Sequence, residues 1–274
     1  MRWPDFIYIG VSRAGSTWLY QVLSEHPGIT MPRAKEIQFF DKNYERGAAW
    51  YGTFFAGIGA GQITGEVWHD YFIDPLVAAR MNEHCPNIRL LVTLREPIDW
   101  TRSRLAWARE VEGVGALTLE AYLARPAVAR ELDYYRNLLP FYERFSPDRV
   151  LVQFYDDLRT DPAAFARNVY RFLGVASDVR VPSMDVRANP ARRARFRAAN
   201  RAALAGVRVL RAVGAAGVVG RLKQSAAVQR ILFRDTQPES PAANERIQLR
   251  YAASFDDLER LIGRPVPASW RPSG

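Results

Sequence analysis

Near its start the chain runs from an apolar stretch, Phe6-Ile7-Tyr8-Ile9-Gly10-Val11, straight into Ser12-Arg13-Ala14-Gly15-Ser16-Thr17-Trp18. The stretch is short, aromatic and β-branched, which predicts a buried strand. Ser16 to Leu23 then has helical spacing, and His26-Pro27-Gly28 stops it. A buried strand followed by a tight turn and a helix is the opening of an α/β unit and leaves few other folds open. Gly10, Gly15 and Thr17 keep the spacing G-x-x-x-x-G-x-[ST] of a nucleotide phosphate loop. In such a loop glycine permits the turn, and the amides from about Arg13 to Thr17 can face an anion at the helix N-terminus. A nucleoside triphosphatase has Lys where Ser16 stands. Here the basic residue is Arg13, three positions earlier, so the loop suits an anion but is poorly built for magnesium-triphosphate chemistry. The same residues would also serve as a Ser/Gly turn that merely starts a helix.

The rest of the chain repeats the alternation. Ile63 to Val67, Ile88 to Leu94 and Arg149 to Tyr155 read as strands. Helices are predicted from Asp74 to about His84, about Ile98 to Glu110, Glu131 to Phe145 and Pro162 to Leu173. The fold class that follows is a single α/β domain over residues 1–274, with a mostly parallel sheet covered by helices on both faces. Ligands in such sheets bind beyond the carboxyl ends of the strands.

Composition narrows the partners. The chain has 274 residues, 48% of them hydrophobic, and a net charge of +9. The charge is local: Arg187 to Arg234 holds 11 Arg, one Lys and no acidic residue, leaving 26 basic and 29 acidic side chains elsewhere. That segment reads as a basic solvated helix pair, an interfacial amphipathic helix touching a membrane surface, or a lid over an anionic nucleotide. It lacks the aromatic interleaving of a nucleic-acid arm, so no nucleic acid is expected as partner. The single Cys85 excludes an internal disulfide and reads as a buried thiol. His26, His69 and His84 lack ligand spacing, so no metal site is expected. There is no signal-peptide pattern and no uncharged apolar stretch of 18 residues, which makes the cytoplasm the expected location.

A second motif is Leu94-Arg95-Glu96-Pro97-Ile98-Asp99-Trp100-Thr101-Arg102-Ser103, which ends one strand and opens the next helix. Pro97 suits the first helical turn, and helical spacing lets Arg95 and Ser103 face one ligand. Taken singly they are equally a surface Arg and a helix-interior Ser. Together, Ser12 to Leu19 and Leu94 to Ser103 resemble the 5′-phosphosulfate loop and the 3′-phosphate motif of sulfotransferases that use 3′-phosphoadenylyl sulfate (PAPS). Pro32-Arg33-Ala34-Lys35-Glu36-Ile37-Gln38-Phe39-Phe40 and Gly47 to Tyr51 look like the heparan-sulfate-sulfotransferase-like branch, in a bacterial form with Arg13 for the usual Lys. Tyr155-Asp156-Asp157-Leu158, Phe172-Leu173-Gly174 and Asp257 to Trp270 also match family features.

The resemblance implies a sheet of about five strands, PAPS as co-substrate, 3′,5′-adenosine bisphosphate (PAP) as product, and no metal. It implies that Arg13, Ala14, Gly15, Ser16, Thr17, Trp18, Arg95 and Ser103 bind the nucleotide, with Arg13 on the sulfuryl or bridging oxygen. It implies Glu36 as the base that deprotonates a hydroxyl or amine of a carbohydrate, lipid or small-metabolite acceptor; a carboxylate beside Phe39 and Phe40 would be partly desolvated. On the residues alone, Glu36 is equally a surface group paired with Lys35 or Arg33. At Gly65-Glu66-Val67-Trp68-His69 the chain departs from the family's Glu-Lys-Ser/Thr-Pro, with Val67 in the Lys position. His69 then reads as a replacement donor, second base or acceptor contact, or as a His packed at a strand end. Trp107 stands where some heparan-type members have His, so a glycosaminoglycan acceptor does not follow. Two other functions stay open: a phosphate-loop kinase or other phosphotransferase, and a degenerate member that only binds an anionic glycan or membrane surface.

Overall fold

The computed structural model describes residues 2–114, 117–186, 192–194, 233–235, 251 and 254–271. In chain order the elements are β1 (Phe6–Gly10), α1 (Ser16–Glu25), α2 (Phe39–Lys42), α3 (Gly47–Gly52), β2 (Gly65–Val67), α4 (Val77–His84), β3 (Arg89–Leu94) and α5 (Pro97–Val111). They continue with α6 (Leu119–Leu123), α7 (Pro126–Glu131), α8 (Tyr134–Tyr142), β4 (Val150–Phe154), α9 (Tyr155–Thr160) and α10 (Pro162–Leu173). The short strands β5 (Arg192–Ala194) and β6 (Phe233–Asp235) pair antiparallel, and residues 254–262 form α11. Apart from those two strands, the basic segment 187–234, read above as a lid or membrane-surface element, lies outside the described residues. No helix among the described residues is long and apolar enough to cross a membrane.

The main sheet has the order β2-β1-β3-β4 and every pairing in it is parallel. It therefore has four strands, not the five that the family resemblance implied. The flank beyond β2 carries a single parallel bridge between Ile29 and Ile63, closed by Ile63 N to the Gly28 carbonyl at 3.1 Å and Thr30 N to the Ile63 carbonyl at 2.9 Å. Pro27 and Pro32 stand close on either side. Neither can donate to a ladder, which keeps this contact from growing into a strand.

Alternating strand residues fill two cores, as a sheet covered on both faces requires. Ile7, Ile9, Leu90, Val92, Leu94, Val152 and Phe154 pack on one side, and Phe6, Tyr8, Val67 and Leu91 on the other, against α1 and α10. Gly65 stands beside Phe6 in register, and a Cβ on it would lie 2.3 Å from the Phe6 ring. The helix starts follow local chemistry. Pro97 opens α5, and the Glu96 carboxylate accepts from Asp99 N at 2.6 Å. The helix expected from Glu131 to Phe145 is α8 alone, Tyr134–Tyr142: Glu131 closes α7 instead, and Asp133 leaves helical geometry to cap α8, accepting from Arg136 N at 3.3 Å. Cys85 is buried, as expected, and burial pushes its thiol up to about 12.

Candidate functional site

The phosphate loop follows β1 at the carboxyl edge of the sheet. Its carbonyls are held from outside. The Tyr8 hydroxyl donates to Val11 O at 3.1 Å, Trp100 Nε1 donates to Ser12 O at 2.9 Å, and the Arg95 guanidinium donates to Arg13 O. These donors come from β1, from α5 and from the residue after β3. Arg13 has φ 60° and Gly15 has φ 91°, so the chain turns left-handed at both. A side chain on Gly15 would be strained by that φ, and its Cβ would lie 2.6 Å from Leu158. With the carbonyls turned into the protein, the peptide dipoles present their positive ends to the loop's other side. The first amides of α1 have no intrahelical acceptor and add to that field.

Three guanidinium groups converge on this loop. Arg13 Nε donates to the Ser103 hydroxyl at 3.1 Å. Arg95 pairs with Asp99 at 2.9 Å and lies 4.4 Å over the Tyr155 ring. Arg104 lies 4.2 Å over the Trp107 ring and approaches Glu131 at 4.0 Å. Part of Arg13 reaches solvent, but enclosure by the loop walls lowers its pKa to about 10, with Arg95 and Arg104 adding to the shift. It stays protonated at neutral pH. Gathering like charges around anchored amides is the signature of an anion site.

Beside the loop lies a second group. Lys35 Nζ is 3.1 Å from Thr17 Oγ1, 3.5 Å from Ser16 Oγ and 3.7 Å from Glu36 Oε1. His69 Nε2 is 3.5 Å from Asp70 Oδ1, and its ring packs 4.5 Å from that of Trp68. Burial lowers the His69 pKa below its ordinary value, while the charges of Asp70 and Glu36 oppose this. Glu36 and His69 are therefore near enough to sense each other's charge.

Most of the residues expected from sequence come together here: Arg13, Gly15, Ser16, Thr17, Arg95 and Ser103 around the loop, with Glu36 and His69 adjoining. Ser103 is tied to Arg13, whereas Arg95 is engaged by Asp99 and the loop carbonyl. Ala14 and Trp18 are taken into the core at 1% and 3% exposure, Trp18 edge-on to Phe165 at 5.8 Å. What they offer a ligand is their backbone. The Glu36 side chain is 21% exposed, and Phe39 and Phe40 follow it in the chain. They are wholly buried among Trp3, Tyr51 and Tyr71, and the carboxylate that this aromatic cluster encloses is Glu66.

Glu66 is 1% exposed and accepts from Gln38 N at 2.8 Å, Tyr51 Oη at 2.7 Å and Tyr71 Oη at 3.0 Å. Burial lifts its pKa to about 7, and these hydrogen bonds hold it down from going higher. The amide it binds belongs to Gln38, at φ 61°, so Glu66 clamps the left-handed turn that follows Lys35 and Glu36. Sequence reasoning passed over Glu66 and Lys35. A lone acid inside a buried strand was the available signal for the first; for the second, adjacency to Glu36 hid its reach to the loop. Glu131 on α7 was also missed. It accepts from the Ser12 hydroxyl at 3.2 Å, and burial raises its pKa.

Comparison with known proteins agrees with this geometry. A family model described as "Sulfotransferase domain" matches residues 3–186. Heparan sulfate glucosamine 3-O-sulfotransferase 3B1 of Mus musculus is 30% identical over 183 residues, covering 63% of this chain and 46% of that protein. Bifunctional heparan sulfate N-deacetylase/N-sulfotransferase 3 of Homo sapiens is 32% identical over 197 residues, covering 64% of this chain and 22% of that protein. The chain thus spans about half the length, or less, of the curated relatives it matches. A sulfotransferase crystal structure from Alicyclobacillus acidocaldarius superposes with a TM-score of 0.71 at 20% identity, over 99% of this chain and 100% of that one, a likeness of fold.

Proposed function

The chain belongs to the sulfotransferase domain family, and from that membership we propose that it transfers a sulfuryl group from PAPS to a hydroxyl or amine, with Glu36 as the base. The observation that carries the reading is the phosphate loop with its carbonyls tied back and Arg13, Arg95 and Arg104 gathered around it. PAPS supplies an activated sulfuryl group on a nucleotide phosphate. Residues Arg13 to Thr17 hold the 5′ end through amides and hydroxyls, and the Arg13 guanidinium faces charge on the transferring group without giving up its proton. Arg95 and Ser103 flank the same pocket and serve the 3′-phosphate. Glu36 takes the acceptor proton as the new bond to sulfur forms. His69, adjacent to it, orients the acceptor.

Ser16 in place of a triphosphatase lysine argues against phosphoryl transfer from magnesium-ATP. The two mammalian relatives named above are heparan sulfate enzymes by their names, which puts carbohydrates first among acceptors. Two measurements test the proposal. PAP raises the melting temperature in the absence of magnesium, while magnesium-ATP does not. Labelled PAPS incubated with the protein and a mixture of glycans and lipids gives a product heavier by one sulfuryl group. Stabilisation by magnesium-ATP alone would overturn the reading.

A further inference from the structure

The Lys35 ammonium sits at the start of α1, against the phosphate loop. Its Nζ lies 3.1 Å from Thr17 Oγ1 and 3.5 Å from Ser16 Oγ, the first two residues of α1. A helix N-terminus is the positive end of the helix dipole and disfavours a cation. The guanidinium groups of Arg13, Arg95 and Arg104 already crowd the loop next to it. Lys35 is also only 20% exposed, so it is not simply dangling in solvent. Glu36, at 3.7 Å, pairs with it. An anion between the hydroxyls, the amides and the ammonium would be held by all three.

The hydrogen-bond directions support the same conclusion. An ammonium only donates, so both hydroxyls use lone pairs to accept from Lys35. Their own protons are then left to donate onward, to an oxygen at the loop. Lys35 thus fixes the polarity of Ser16 and Thr17 as well as adding a full charge.

Resting on the sulfuryl-transfer reading, we propose that Lys35 is a further catalytic residue, whose ammonium neutralises the nucleotide oxygen from which the sulfuryl group departs. In that step the acceptor oxygen forms a bond to sulfur and its proton passes to Glu36. The bond from sulfur to the 5′-phosphate oxygen breaks, and its electron pair stays on that oxygen. The charge appears there, at the hydroxyl end of α1, within reach of Lys35. The lysine transfers no proton. Arg13, bound to Ser103, is left for the sulfuryl oxygens.

The test needs no acceptor. Calorimetry on the full chain compares PAP, which carries the developed charge on that oxygen, with PAPS, in which the oxygen is bonded to sulfur. Lys35→Met weakens PAP binding by about ten- to hundred-fold, the range of a hydrogen bond to a charged group. It weakens PAPS several-fold less. Lys35→Gln behaves like Lys35→Met, although its amide can still donate to Thr17. A purely structural tie predicts the reverse: glutamine restores wild-type affinity. Equal losses for the two nucleotides, or recovery by Lys35→Gln, sinks the assignment. If the wild-type chain binds neither nucleotide, the sulfuryl-transfer reading itself fails; if it binds both and Lys35→Gln is indistinguishable, only the role of Lys35 fails.

Discussion

Glu66 makes stability depend on pH in a direction opposite to that of most carboxylates. Its pKa rises from an ordinary 4.5 to about 7 in the folded chain, with burial the main cause. The folded state therefore binds the Glu66 proton more tightly than the unfolded state. Stability from this group is fully present below about pH 4.5 and is lost as pH rises through about 7. Linkage between those two values gives a loss of about 2.5 kcal/mol from pH 5 to pH 8. Glu66→Gln removes the titration while keeping the shape and an oxygen for Gln38 N. Near pH 5 the two proteins differ by about 1 kcal/mol, the scale of one rearranged hydrogen bond to Tyr51 or Tyr71. By pH 8 the variant gains on the wild type by the full linkage amount. Urea melts of both proteins at pH 5, 6, 7 and 8 measure it. The Glu96 carboxyl, raised to about 7 by burial, titrates in the same window but cancels in the difference. Parallel pH profiles for the two proteins would refute the reasoning and place the Glu66 pKa near its ordinary value.

Four other outcomes follow from the geometry. Glu36→Gln lowers turnover by about 10² to 10⁴ with little change in PAP affinity, as for a positioned base; a dead His69→Asn beside an active Glu36→Gln would reverse the assignment. Arg95→Ala weakens binding of adenosine 5′-phosphosulfate as well as PAPS in calorimetry, because Arg95 also holds the Arg13 carbonyl; a loss confined to PAPS would show that the loop does not need it. Trp100→Phe leaves Ser12 O without its buried donor and costs about 1–3 kcal/mol of stability in chemical melts, together with reduced PAP affinity. Gly65→Ala forces a Cβ toward the Phe6 ring and destabilises by about 1–3 kcal/mol, read from the same melts; a neutral effect would mean that the β1–β2 register yields there.

β1, β3 and β4 were legible because each is a mostly apolar run, and they lie within a residue or two of their expected limits. The number of strands was not, since the fifth came from family likeness and Pro27 and Pro32 confine the corresponding contact to one bridge. The start of α8 at Tyr134 and not at Glu131 turned on Asp133 acting as a cap, a role that an acid in a helical pattern does not advertise. Around the site, Gly15 and Arg13 could be read from spacing because the turn is local. Lys35 and Glu66 could not, because their roles depend on partners far along the chain: Lys35 on Thr17, Glu66 on Tyr51 and Gln38. The enclosure of Glu66 by the cluster of Phe39, Phe40, Tyr51 and Tyr71 was hidden for the same reason. A left-handed Gln38 redirects the chain between Glu36 and Phe39, and sequence adjacency says nothing of that turn.

The tied carbonyls of Val11, Ser12 and Arg13 also decide when the loop's disorder is lost. Fixing one residue's backbone costs about 1–2 kcal/mol in entropy. A loop that its ligand must order carries that burden at binding, and affinity suffers accordingly. Here the tethers come from Tyr8, Trp100 and Arg95, which are parts of the folded framework, so the ordering is complete before any nucleotide arrives. Tethering these carbonyls also gives the cradle a sign. It has little to offer a bare cation and a row of donors to offer an oxyanion, so the choice of ligand charge is made by peptide orientation as much as by arginine.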